Sequence, residues 1–120
     1  MILLRLLAAG YWLLVSLLLL VPNPAAIFFE LRPAQVAASM RGVHGMAFLV
    51  LALLVQAARF PLRRSVQWAV LVGYALLVES LQWFVPRRTV ELADYAENLL
   101  GLALGAALFA ALSTWRRRSP

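Results

Sequence analysis

The chain has 120 residues, 64% of them hydrophobic, and a formal charge of +6. Soluble domains hold about 45–50% apolar residues, so a single domain with most of its surface against lipid is expected, without room for a separate soluble module. The positive charge does not point to nucleic acid: all eleven basic residues are arginines, most in short loops and tails, with no aromatic-interleaved basic face. The absence of cysteine excludes disulfides, thiolate metal sites and cysteine nucleophiles.

Apolar runs predict helices over about 2–21, 43–58, 66–85 and 99–115, which makes the fold class all-α, an integral membrane four-helix bundle. Crossing the hydrocarbon takes about 20 residues. The first run carries Arg5 before a long leucine stretch and ends at Pro22-Asn23-Pro24. It resembles a signal peptide, but its apolar stretch exceeds the usual h-region of about 7–15 residues, so an uncleaved helix is expected. Residues 25–32 then include Ile27, Phe28, Phe29 and Leu31, which suit a short interfacial helix broken by Pro33.

The second run is short and either borrows neighbouring residues or forms a buried re-entrant helix. Arg41 lies at its start, and His44, the only histidine, is one turn deeper. The sequence Arg59-Phe60-Pro61-Leu62-Arg63-Arg64 reads as a tight hairpin, with Pro61 stopping the helix and the arginines snorkelling to headgroups. Arg5, Arg59, Arg63, Arg64 and Arg116 to Arg118 fall on one side of such a bundle. Arg32, Arg41, Arg87 and Arg88 fall on the other. Seven against four places both termini in the cytoplasm.

The third run contains Glu79. A carboxylate there costs on the order of 2.5–3.5 kcal/mol by insertion scales, so it is expected to face a partner inside the bundle. It is read as lying about 10 Å below a helix end at Pro86. Gln82 and Trp83 follow on the same face. The polar series continues through Arg88, Glu91, Asp94 and Asn98, with Thr89 or Asp94 as the cap of the fourth helix. Asp94, Asn98, Gly101 and Gly105 fall on one stripe of that helix. Gly101-Leu102-Ala103-Leu104-Gly105 is a Gly-x-x-x-Gly motif, whose small residues let another backbone approach. Gly101 and Gly105 are therefore packing residues, and they mark the face that also carries Asp94 and Asn98.

These positions define the candidate binding residues: Arg41, His44, Glu79, Gln82, Arg88, Glu91, Asp94 and Asn98. They come from three helices at similar depth, in the outer half. An internal network that only holds the bundle together is the plain alternative, and it does not exclude a binding site. A Glu79–His44 contact would stabilise imidazolium and carboxylate together, whereas desolvation would keep both neutral. The sequence leaves both open.

In this order and spacing the residues resemble the VanZ-like family of small bacterial membrane proteins. That family typically shows Lys-x-x-His at the start of one helix. A Glu-x-x-Gln helix, an Arg–acid–Asp–Asn loop and a Gly-x-x-x-Gly helix follow. Here Arg41-Gly42-Val43-His44 matches the first element, with arginine in place of the usual lysine. Glu79-Ser80-Leu81-Gln82 matches the second, and Arg88, Asp94, Asn98, Gly101 and Gly105 match the third. The resemblance covers roughly Arg41 to Gly105. It implies a multi-pass protein of the bacterial cytoplasmic membrane. The family's founding member is associated with low-level resistance to teicoplanin, a glycopeptide that acts outside that membrane. The exchange to Arg41 keeps the charge but not the geometry.

The reading that follows is a binding protein of the envelope with an outward-facing polar pocket. Its expected partners are membrane lipid, a lipid-linked cell-wall precursor or a glycopeptide, and a second copy of the chain, with no nucleic acid. Arg41 and Arg88 would hold phosphate or carboxylate. Trp83 and Tyr95 would stack or line the rim. A proton-coupled transporter subunit using Glu79 and His44 is one alternative, although no polar path continues inward past Gln56 and Gln67. A membrane enzyme on a lipid-linked substrate is another, with His44 and Glu79 as a base pair, but no Gly-x-Ser-x-Gly or His-Glu-x-x-His motif is present. A structural partner in a larger complex is the third. No catalytic residue or cofactor is expected. His44, Glu79 and Asp94 suit a divalent ion in composition, but no metal is assigned from sequence.

Overall fold

The computed structural model describes residues 1–22, 42–86 and 88–118. Arg41, Arg87 and the 25–32 segment with Pro33 lie outside them. Among the described residues the secondary structure is helical, in the order α1 (Ile2–Leu20), α2 (Val43–Ala58), α3 (Arg64–Gln82) and α4 (Leu92–Arg118). The fold is an all-α bundle. Going round it, α1 packs on α2, α2 on α4, α4 on α3 and α3 on α1.

α1 and α2 stop for local reasons. Val21 precedes Pro22, which disfavours helical backbone at the residue before it. Val21 is accordingly extended, at φ −75° and ψ 137°. At the far end of α2, Arg59 turns left-handed at φ 46° and its N–H returns to the Gln56 carbonyl, with Pro61 just beyond. The side chain of Gln67 closes this hairpin by donating to the carbonyls of Phe60 and Leu62, both at 3.1 Å.

Two helices differ from the sequence expectation. α3 ends at Gln82 rather than Val85. The N–H groups of Trp83, Phe84 and Val85 reach back only three residues, to Ser80, Leu81 and Gln82. This is the tighter pattern that commonly finishes a helix, here just before Pro86. Glu79 is therefore one turn from the helix end. α4 begins at Leu92 rather than residue 99, because the polar stretch 92–98 continues the helix. Its 27 residues span about 40 Å.

Large apolar side chains cover the outside: Leu3, Leu6 and Leu13 on α1, Leu77 on α3, and Leu100 and Leu104 on α4 are all exposed. Inside, Val15, Leu19, Phe48, Leu51, Leu71, Val78 and Leu102 form one core. Tyr74 packs edge-on against Trp12 and tilted against Phe48. α1 and α4 are long and apolar enough to cross a membrane, and their apolar windows are only 17% and 22% buried. A core helix of a soluble protein would show the reverse burial.

α2 and α4 approach closely. A methyl group on Gly101 would collide with the backbone carbonyl of Gly45, and one on Gly105 would lie 2.6 Å from the Leu49 carbonyl oxygen and 2.8 Å from the Ala52 Cβ. Gly73 has open space. Gly101→Ala is expected to cost about 1–3 kcal/mol or more, because backbone must move. Gly73→Ala is expected to be neutral or to gain about 0.5–1 kcal/mol from helix propensity. Thermal unfolding of the two variants in the same detergent checks the contrast.

Candidate functional site

At the end of the bundle where α1 and α3 finish and α2 and α4 begin, four polar residues are buried. They are His44, Glu79, Gln82 and Asn98, at 6%, 0%, 1% and 0% exposure. A buried polar group needs a partner to offset lost hydration. Asn98 Nδ2 donates to Glu79 Oε2 at 2.7 Å, joining α4 to α3. His44 Nδ1 of α2 lies 3.8 Å from the same Oε2. That separation suits an ion pair if the ring is protonated, but it is too long for a hydrogen bond. His44 Nδ1, Glu79 Oε1 and Asn98 Oδ1 are buried without a hydrogen-bond partner among the described residues.

Asp94 stands at the mouth of this cluster, half-buried. One ligating atom from each of His44, Glu79 and Asp94 falls within 4.8 Å of the other two. Asp94 also fixes the start of α4: its Oδ2 accepts from the Glu91 N–H at 2.8 Å, the reciprocal half of a capping box. It supplies negative charge where the helix dipole favours it. Of the two residues expected as the cap, Asp94 fills that role from inside the first turn. Glu91 is exposed, and its N–H is the part that takes the cap. Glu97, not singled out from sequence, accepts from the Gly42 N–H at 3.1 Å. Gly42 caps α2 at φ 81°, a conformation open to glycine at little cost. The charges of Asp94, Arg88 and Glu97 all act on both His44 and Glu79.

Gln82 and Arg88 turn another way. Gln82 Nε2 donates to the Leu19 carbonyl at 2.9 Å. Arg88 donates from Nε to the Val21 carbonyl and from Nη2 to the Leu18 carbonyl, both at 3.3 Å. Together they satisfy the last carbonyls of α1, which the helix itself leaves unpaired. Burial pushes the Arg88 guanidinium below its usual range, while Glu79 and Asp94 pull it back up. The polar set therefore divides. His44, Glu79, Asp94 and Asn98 meet one another, and Gln82 and Arg88 fasten α1 beside them. Arg41 lies outside the described residues.

Trp83, at the end of α3, is 69% exposed. Tyr95 instead meets the Ser80 hydroxyl at 3.1 Å. Deeper in the bundle, Ser16 and Tyr74 share a 2.7 Å hydrogen bond between α1 and α3, and the Tyr11 hydroxyl donates to the Ala47 carbonyl at 3.0 Å. These hydroxyls were not legible as a set, because single serines and tyrosines in apolar runs carry no spacing signal.

The fold and the site define a class: a membrane protein built as a helical bundle, with a buried polar cluster at one end. The VanZ/LLP1 family model matches residues 9–113, and the chain belongs to that family. The match takes in all the residues of the cluster. Neither curated proteins nor solved structures give a match.

Arg88→Ala removes both donors and leaves two α1 carbonyls short of partners. It is expected to lower stability by about 1–3 kcal/mol. Arg88→Lys should restore only part of the loss, since a single ammonium does not reproduce the fork. Thermal unfolding and protease sensitivity near residues 18–22 measure both.

Proposed function

We propose that the chain is a multi-pass binding protein of the bacterial cytoplasmic membrane, with both termini cytoplasmic. Its polar cluster lies beneath the outer surface. The ligand is the polar head of an envelope molecule: a membrane lipid, a lipid-linked wall precursor, or a lipophilic glycopeptide of the teicoplanin type. One observation carries this reading. Side chains from three helices converge at one end of the bundle, and three of their buried polar atoms have no hydrogen-bond partner among the described residues.

Such unsatisfied atoms cost about 1–3 kcal/mol each in a folded protein, so a site that keeps them is suited to a ligand that completes them. Glu79 Oε1 and Asn98 Oδ1 are acceptors. A ligand offering N–H groups, from an amine or a peptide amide, fits them better than a bare phosphate does. The anionic part of a headgroup is assigned to Arg41, because Nε and Nη2 of Arg88 are engaged on α1 carbonyls. The arginine count across the loops supports the orientation.

The test is binding by the purified protein in detergent. Teicoplanin, a lipid-linked wall precursor and phosphatidylethanolamine are each offered to wild type and to Asn98→Leu. Wild type is expected to bind at least one of the three, and the variant about tenfold more weakly or less. Circular dichroism confirms that the variant is folded. Equal binding by both proteins, or none by wild type, removes the reading.

A further inference from the structure

We infer that His44, Glu79 and Asp94, with the side-chain oxygen of Asn98, form a site for one divalent transition ion, Zn²⁺ or Mn²⁺. The ligating atoms of the first three already lie within 4.8 Å of one another. An ion equidistant from three such atoms sits about 2.8 Å from each, against about 2.0–2.2 Å for zinc with imidazole and carboxylate ligands. The missing distance is less than an ångström per ligand. Asp94, half-buried in the first turn of α4, is the residue placed to move.

Three independent features point to a cation. The first is the set of orphaned atoms. Among the described residues His44 Nδ1, Glu79 Oε1 and Asn98 Oδ1 are buried without partners, and each is a ligating atom type for a borderline ion. The second is the gap. His44 Nδ1 lies 3.8 Å from the Glu79 carboxylate at Oε2, too far to bond directly, and the unpartnered Oε1 of the same carboxylate is the oxygen left to ligate. The third is charge. Glu79 and Asp94 together bring two carboxylates to a low-dielectric end of the bundle, where uncompensated charge is costly. Among the described residues the cation acting on them is Arg88, and its Nε and Nη2 are committed to α1 carbonyls. A divalent ion balances the pair.

The second shell is also in place. Asn98 Nδ2 holds Glu79 Oε2, and the Glu91 N–H holds Asp94 Oδ2. Each carboxylate is thus oriented and keeps a second oxygen to offer, as metal-ligating carboxylates generally do. One imidazole nitrogen and three oxygens exclude soft, thiolate-preferring ions and suit zinc or manganese. The inference does not depend on headgroup binding.

The experiment uses untagged full-length protein in detergent, stripped with EDTA, with ZnCl₂ or MnCl₂ as the only probe. Bound metal is counted after desalting, and thermal unfolding is followed in parallel. Wild type is expected to hold one ion per chain and to unfold about 5 °C higher with it than without. Asp94→Asn and Glu79→Gln should each weaken binding at least about tenfold and lose the thermal shift. With Co²⁺ in place of the probe, wild type should give visible absorption that His44→Gln lacks. Should a variant fail to fold, the wild-type stoichiometry and the reversal of its shift by EDTA decide alone. No bound ion, no thermal shift, or equal binding by wild type and a folded variant overturns the site.

Discussion

A carboxyl group with no solvent exposure, carried on a helix whose outer face is apolar, is the constraint from which the arrangement follows. Glu79 cannot be left in hydrocarbon without a partner, and its partner is the amide of Asn98 on the next helix. That contact requires α4 to lie close to α3 at this depth. The same stretch of α4 meets α2 through Gly101 and Gly105, where no Cβ would fit. Close packing of α2 on α4 in turn brings His44 across the bundle to the same carboxyl oxygen. The glycine stripe and the polar cluster are two parts of one arrangement. Bulk at Gly101 would displace the ring as well as the helix.

Arginine plays a second role. Arg88 donates to the last carbonyls of α1 at one end of the bundle. At the other end, Arg5 of α1 donates to the Ala58 and Arg59 carbonyls where α2 finishes. Each guanidinium answers the partial negative charge and the unpaired carbonyls that a helix terminus leaves. Helix ends leave carbonyls unpaired, so this capping between helices adds cohesion where lipid gives no hydrophobic drive for association. It also explains why Arg88 is drawn away from the carboxylates that its sequence position suggests.

The geometry favours ligands that supply positive charge or N–H donors. What is free in the cluster is mainly acceptor. The basic groups that would take a phosphate are engaged on α1 or stand outside the described residues. A divalent ion and an amine- or amide-bearing headgroup both meet that demand, and an ion with open coordination positions would let the two act together. The proposed envelope role rests on the family, on the exposed apolar faces of the helices and on this excess of acceptors.

Much of this was legible in the chain itself. Hydropathy determines the helices and their apolar exteriors, because a long apolar run favours an apolar surround. Spacing places Asp94, Asn98, Gly101 and Gly105 on one stripe, because the helical repeat does not depend on context. The cost of a buried carboxylate makes Glu79 turn inward wherever the bundle forms. The helix ends were less legible. α3 stops early as its hydrogen bonds tighten before Pro86, and α4 starts early because a polar stretch can be helical when its first turn is capped. Only the tertiary structure decided which polar groups meet. Gln82 and Glu79 are one turn apart, yet one reaches α1 and the other α4. Hydrogen-bond partners across helices depend on distances of a few tenths of an ångström, and residue spacing along one chain does not carry that information.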